Sequence, residues 1–346
     1  MTRPPPRAAA PIAFARTREG FDLPVIDVTH PRFALPPGPE LVQRLGNALS
    51  AAERRHRLVP PFLMRMMLRA AARRSRLVRA VFHSGSGFLD SISTYVMKLG
   101  ADNLVPPYDS PTDRRFAASP HVLLVRLRMQ QIAHFLAHAL AHDLAAAPRA
   151  APLTLVNIGG GPALDSINAL IVLRRDRPDL LDRRITIAVL DADADADGAV
   201  FGANALAALK EQGTLKGLDV TIEHHDYDWD RPAVLADLIA RLTAAGAVIA
   251  ASSEGALFEY GSDAAIVGNL RALRADGAGV RHVAGSVTSA GALRQRMIDR
   301  TPFKLKPRGV EGIAPLAAAA AFRIVASNEA FLSTQVLLQA SGPPQL

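Results

Sequence analysis

Apolar residues along this chain follow two periods, and the change from one to the other divides it. From about Glu40 to Ala147 they recur at three- and four-residue intervals, which predicts helices broken at Pro60-Pro61, at Gly85-Ser86-Gly87 and in the loop Pro106-Pro107-Tyr108-Asp109-Ser110-Pro111. The run Ala147-Pro148-Arg149-Ala150-Ala151-Pro152 reads as a short linker. Beyond it, short apolar runs alternate with helical stretches, as a parallel sheet requires. Strands are predicted at Leu153–Ile158, Ile185–Asp191 and Val220–Asp226, and near Ala247–Ser252, Val280–Ser286, Phe322–Ala326 and Phe331–Leu338, the last two joined as a hairpin through Ser327-Asn328-Glu329-Ala330. The first 20 or so residues, with Pro4-Pro5-Pro6, have little to bury and are expected to be extended or disordered. The expected organisation is a tail at 1–20, a mainly helical cap or dimerisation domain at 21–149, and an α/β domain at 150–346.

The first strand of the α/β region, Leu153-Thr154-Leu155-Val156-Asn157-Ile158, runs into Gly159-Gly160-Gly161-Pro162-Ala163-Leu164-Asp165. Strand, glycine turn and helix form an arrangement by which α/β proteins hold nucleotides. Glycine lets the backbone turn sharply and approach a ligand, and the free N–H groups at the helix start favour a polar or anionic group. Two later strands end in acids, Asp191 and Asp226. A dinucleotide site would need the spacing G-x-G-x-x-G. Counted from Gly159, its third glycine falls on Leu164, whose side chain would obstruct close packing of helix on strand. The spacing G-x-G-x-G instead falls on Gly159, Gly161 and Ala163, a milder departure.

With these residues, the chain from about 150 to 346 resembles the class I S-adenosylmethionine (SAM)-dependent methyltransferases. The resemblance implies an α/β fold: a Rossmann-like methyltransferase sheet with an antiparallel final strand, here preceded by an N-terminal helical domain. It implies SAM as cofactor, lying over Gly159, Gly160 and Gly161, with Asp191 binding both ribose hydroxyls and Asp226 meeting the adenine amino group. Asn157 stands where the family usually has an acid that helps hold the cofactor's amino group; it keeps hydrogen-bonding capacity but no charge. After the fourth strand, Ser252-Ser253-Glu254-Gly255-Ala256-Leu257-Phe258-Glu259-Tyr260-Gly261 occupies the place where the family approaches the transferable methyl. Ser252 joins the cofactor set, Glu254 and Glu259 are candidate general bases, and His225 and His282 are weaker ones. The Asn-Pro-Pro-Tyr type of motif used on nucleic-acid amino groups is absent. The implied activity is O- or N-methylation of a small-molecule acceptor.

Composition narrows the alternatives. At 346 residues the chain is long enough for two domains. It has no cysteine, which excludes disulfides, thiolate metal sites and a cysteine nucleophile. No apolar segment reaches the roughly 18 residues of a membrane span, and the N-terminus lacks the apolar core of a secretion signal, so a cytoplasmic protein without a membrane partner is expected.

The net charge is +8, and its excess sits in one place. Arg54, Arg55, Arg57, Arg65, Arg69, Arg73, Arg74, Arg76 and Arg79 face a single acid, Glu53, between Ala52 and Ala80. Arg65, Arg69, Arg73 and Arg76 follow helical spacing and would form one basic stripe. Phosphate contact would make the protein an RNA methyltransferase. A solvated or interdomain face is favoured, because aromatic residues suited to base stacking are scarce. A non-catalytic cofactor-binding or interaction module is the alternative from another class, and a homo-oligomer stays open. His134, His138 and His142 share a helix face but span about 12 Å, so packing or polar contact is favoured over a metal. Asp193-Ala194-Asp195-Ala196-Asp197-Gly198 begins like an EF-hand loop, but its twelfth position is Asn204 rather than glutamate. No metal is therefore expected.

Overall fold

A computed structural model of the chain describes residues 11–56, 58–82, 89–192, 197–274 and 279–341. Residues 1–10, the 85–87 break and most of the EF-hand-like run lie outside them. Two short strands, β1 (Phe14–Arg16) and β2 (Asp22–Pro24), pair antiparallel, and helices follow from Pro39 to Ala146. Seven more strands then form one sheet: β3 (Leu153–Ile158), β4 (Ile185–Asp191), β5 (Val220–Asp226), β6 (Val248–Ser253), β7 (His282–Thr288), β8 (Phe322–Glu329) and β9 (Ser333–Ala340). Their order is β5-β4-β3-β6-β7-β9-β8, parallel from β3 to β7, with β9 antiparallel to both of its neighbours. This is a Rossmann-like sheet with an antiparallel final strand, as the resemblance implied.

Position in the sheet explains the patterns. β3 is buried along its whole length, as a central parallel strand covered on both faces must be. The edge strands β5 and β8 alternate instead. β8 runs on through Ser327, Asn328 and Glu329, all exposed, so the hairpin turn falls later than the polar run suggested, around Phe331 with its φ of 65°.

Among the helices, Ser110-Pro111 and Ser119-Pro120 show why they start where they do. Each serine hydroxyl accepts a backbone N–H of the first turn, from Asp113 (3.1 Å) and Val122 (3.4 Å), and each proline takes the first helical position, where no N–H is needed. The second of these helices, Pro120–Ala146, lies against the sheet and the helix Leu164–Asp176. Its Ile132, Leu136 and Leu140 share one buried cluster with Leu153, Leu155 and Ile167. The junction at 149/150 therefore separates helices from sheet along the chain but does not separate two cores.

Two local expectations are corrected. Residues 11–20, assigned to a disordered tail, enter the β1–β2 hairpin: Ala15 and Leu23 are buried, and the Tyr95 hydroxyl donates to Pro24 O (2.7 Å) and accepts from Ile26 N (3.0 Å). The apolar side chains Ile12, Ala15, Phe21 and Leu23 supply burial that outweighs the flanking prolines. The basic stripe is also shorter than its spacing implied. Ser75 is extended, with its hydroxyl donating to Asp113 Oδ1 (2.5 Å), so the helix Pro61–Arg74 ends there. Arg76 starts the next helix and lies over the rings of Phe21 (5.3 Å) and Tyr108 (5.5 Å). Arg65, Arg69 and Arg73 remain exposed. No helix among the described residues is long and apolar enough to cross a membrane.

The long helix is tied to the sheet by a buried ion pair, Asp143 Oδ2 to His282 Nδ1 at 2.7 Å. Burial alone would raise the Asp143 carboxyl, but the hydrogen bond and charge of His282, with help from His142 and Arg281, hold it below its usual value. A depressed folded-state value means stability that is complete above the unfolded value of about 4 and is lost as pH falls through the folded one. Asp143→Asn is expected to lower stability at pH 7 by about 1.5–3 kcal/mol, the range for a hydrogen bond to a charged group. The parent should lose more stability than the variant between pH 7 and pH 3, as measured by urea denaturation.

Candidate functional site

The sheet order reverses at β3, with β4 and β5 on one side and β6 and β7 on the other. In open α/β sheets a crevice forms beyond the carboxyl ends of the strands at such a point. A cavity of about 1040 Å³ opens there. Its floor is the turn after β3. Gly159 and Gly161 have φ of 70° and 50°, and Ala163 has 55°, so all three positions of the G-x-G-x-G spacing adopt left-handed backbone. Ala163 adopts at some steric cost what glycine adopts freely.

A polar knot beneath the floor holds the turn. Asn157, fully buried at the end of β3, donates through Nδ2 to Asp165 Oδ1 (2.6 Å), Ser166 Oγ (3.1 Å) and Ser252 Oγ (3.3 Å). Beside it, the Ser253 hydroxyl donates to Ile158 O (3.0 Å), tying β6 to β3. Asn157 and Ser252 therefore do not line the cavity; they act through the residues that do.

Of the expected ligand-facing groups, Gly159, Gly160, Gly161 and Asp191 are on the cavity wall. Asp191, at the end of β4, accepts the Gly161 N–H at 2.9 Å, which fixes the carboxylate against the turn. Asp226 is exposed and off the wall, because β5 ends at the sheet edge; the residues that follow it, Tyr227, Asp228 and Trp229, reach the cavity instead. His225 is likewise off the wall, with Nε2 3.9 Å from Glu223 on the same edge strand, and His282 is engaged by Asp143. Among the described residues no cluster of His, Cys, Asp or Glu could hold a metal ion.

Sequence reasoning assigned no role to Asp165. It lines the cavity, is nearly inaccessible, and its Oδ2 has no hydrogen-bond partner. Burial, then the charge of Glu254, raises its pKa. A buried carboxylate oxygen with no partner is costly unless something cationic or proton-donating meets it.

The helical region closes the cavity. Ser91 lies over Gly161, and the helices Ser91–Leu99 and Pro120–Ala146 contribute Lys98, His121 and Arg128. Glu254, directly after β6, receives both Lys98 Nζ and Arg128 Nε (2.5 Å), and Arg128 Nη1 reaches both oxygens of Glu259 at 3.1–3.2 Å. Gly255, with φ of 76°, leaves room for this: a Cβ there would lie 2.5 Å from Arg128 Nη2.

Burial would raise the Glu254 carboxyl, but the Arg128 and Lys98 charges prevail and hold it at about 2. Glu254 and Glu259 do line the cavity, and both are counter-ions to Arg128; for Glu254 that pairing opposes proton uptake. Two residues that the sequence did not single out also line the cavity. His121 is exposed on its wall, and desolvation by the wall, then the Arg294 and Arg128 charges, push it down to about 4. Tyr260 is pushed up to about 12 by burial and by Glu259. At neutral pH the first is an uncharged acceptor and the second an uncharged donor.

No family model matches the sequence, and no curated protein matches it. Among solved structures, the chain is similar to a possible exported protein from Bordetella parapertussis, at 15% identity and a TM-score of 0.54, over 90% of this chain and 99% of that one. It also matches an O-methyltransferase family protein from Burkholderia thailandensis (15% identity, 67% and 61% of the two chains, TM-score 0.39). A third match is human N-acetylserotonin methyltransferase in complex with SAM (13% identity, 63% and 56%, TM-score 0.36). The first likeness speaks to the fold and not to the chemistry; the other two superpose too loosely to add to it.

Gly160 tests the knot. Its own backbone would accept alanine, but a Cβ there would fall 1.7 Å from Asn157 Oδ1. Gly160→Ala is expected to cost about 1–3 kcal/mol through this overlap. Combining it with Asn157→Ala should cost less than the sum of the two, because the clashing atom is gone; urea denaturation of the four proteins measures the coupling.

Proposed function

We propose that this protein is a SAM-dependent methyltransferase acting on a small-molecule acceptor through O- or N-methylation. One observation carries the reading: the glycine turn, Asp191 and the partnerless Asp165 Oδ2 line a single cavity at the switch point of the sheet. These residues fit an adenosyl amino acid. The turn leaves space above its backbone, Asp191 offers a carboxylate to paired ribose hydroxyls, and Asp165 offers an acceptor to an ammonium group. Asp165 thereby supplies the charge that Asn157 lacks, held in place by Asn157 itself at 2.6 Å. Trp229 and Asp228 stand in for Asp226 beside the base. At about 1040 Å³ the cavity is at the upper end of small-molecule sites, with room for a second molecule beside a cofactor.

When bound, SAM supplies an electrophilic methyl group. This chain's part is alignment, since a displacement of this kind depends on approach geometry more than on covalent help. The Lys98–Glu254–Arg128–Glu259 network fixes the loop after β6 against the long helix and so sets where the acceptor lies. His121 accepts a hydrogen bond from an acceptor hydroxyl or amine, and Tyr260 donates one to it, so the two orient the acceptor and its proton leaves to solvent.

S-adenosylhomocysteine is expected to bind, and NAD is not, as read by calorimetry. Asp191→Ala should weaken S-adenosylhomocysteine binding by about 1.5–3 kcal/mol, and Asp165→Asn by a similar amount, the range for charged hydrogen-bond partners. Unchanged affinity in folded variants, or NAD binding without S-adenosylhomocysteine binding, would sink the reading. Labelled SAM with a panel of phenols and amines tests transfer itself.

The arginine helix plays no part in this site, since Arg65, Arg69 and Arg73 do not line the cavity. Changing all three to Gln is expected to leave S-adenosylhomocysteine affinity and small-molecule turnover unchanged. A specific RNA complex in the parent whose salt slope falls by about 2–3 in the triple variant would replace the small molecule with RNA as the substrate.

A further inference from the structure

Arg294 stands apart from the other cations of the cavity. It projects from the helix Ala292–Ile298 into the wall, beside Glu259, Arg128 and Tyr260, whose charges act on it. Lys98 and Arg128 are each paired with carboxylates. Among the described residues, Arg294 makes no hydrogen bond or salt bridge, and its Nε is buried without a partner. The nearest carboxylate, Glu259, already has both oxygens on Arg128. Burial and the Arg128 charge weigh against the charged guanidinium and the Glu259 charge favours it, but no carboxylate among the described residues is bonded to it. His121 registers the same cations, because the charges of Arg294 and Arg128 help to depress it.

A guanidinium is a planar fork that matches a carboxylate with two parallel hydrogen bonds. The walls of the same cavity also carry the apolar side chains Leu124, Phe303, Leu305 and Leu332. We propose that Arg294 is an anion-binding residue that holds the carboxylate of a largely apolar acid in this cavity. That this acid is the methyl acceptor rests on the proposed function; the anion site itself does not. Arg294 would then fix one end of the acceptor while the methylated atom sits toward the glycine turn, and the bound carboxylate would relieve the depression of the neighbouring His121.

The test uses 1-naphthoate and its uncharged counterpart 1-naphthamide with the full chain, alone and saturated with S-adenosylhomocysteine. Calorimetry reads both, and quenching of Trp229, the single tryptophan of the chain and part of the cavity wall, reads entry into the cavity. The parent is expected to bind the naphthoate at least about tenfold more tightly than the amide. Arg294→Met should remove that preference while leaving naphthamide and S-adenosylhomocysteine affinities within about twofold. Arg294→Lys, which keeps charge and stem but loses the fork, should retain only part of the preference, and it serves if the methionine variant does not fold. Equal binding of the two probes by the parent, binding of neither, or a preference that survives in either folded variant undiminished overturns the proposal. S-adenosylhomocysteine binding without a carboxylate preference defeats the anion site alone. A carboxylate preference without S-adenosylhomocysteine binding defeats the methyltransferase reading alone.

Discussion

The hydrogen bonds of Asn157 hold the centre of this structure. β3 is covered on both faces and flanked by β4 and β6, so a polar side chain near its end has no route to water and must find partners inside. Asp165, Ser166 and Ser252 provide them for Nδ2, leaving Oδ1 without one, and in doing so bind the glycine turn, the first turn of the next helix and the neighbouring strand into one unit. The left-handed backbone at Gly159, Gly161 and Ala163 persists because this unit over-determines it. The cavity floor is thus rigid for reasons unrelated to any ligand, and the carboxylate it presents is oriented in advance.

A second network joins the helical region to the loop after β6. Lys98 and Arg128 come from helices, Glu254 and Glu259 from the loop after β6, and burial leaves them little solvent to compete with their pairing. Removing a single partner would leave a buried charge uncompensated, which is far more costly than the pair is stabilising. The same pairing keeps Glu254 ionised, while His121, Tyr260 and Arg294 stand on the cavity wall beside it. Function in this half of the cavity is therefore decided by which charges are satisfied.

Much of the framework was legible in the residues. The switch from helical to strand periods at the Ala147–Pro152 linker, the fully apolar central strand and the strand-ending Asp191 all report local geometry, and local geometry is what periodicity and turn chemistry encode. The C-terminal hairpin was legible in outline, although its turn was displaced because an edge strand tolerates polar residues that look like a loop. The helix break at Ser75 was not legible: Ser75 is an ordinary helical residue by composition, and it is extended because Asp113, far along the chain, takes its hydroxyl.

By itself the sequence determined the alternation of strands with helices and the glycine turn, since each depends on neighbours within a few residues; that Asp191 meets this turn depends on the pairing of two strands. Tertiary structure alone decided which charged residues are partners and which is left without one. Arg128 and Arg294 are indistinguishable in sequence from the solvated arginines of the helix Pro61–Arg74, and so are Asp165 and Asp226 from other acids near strand ends. Their difference lies in burial and in the satisfaction of each hydrogen-bonding atom, quantities set by groups more than a hundred residues apart, such as Arg128 and Glu254.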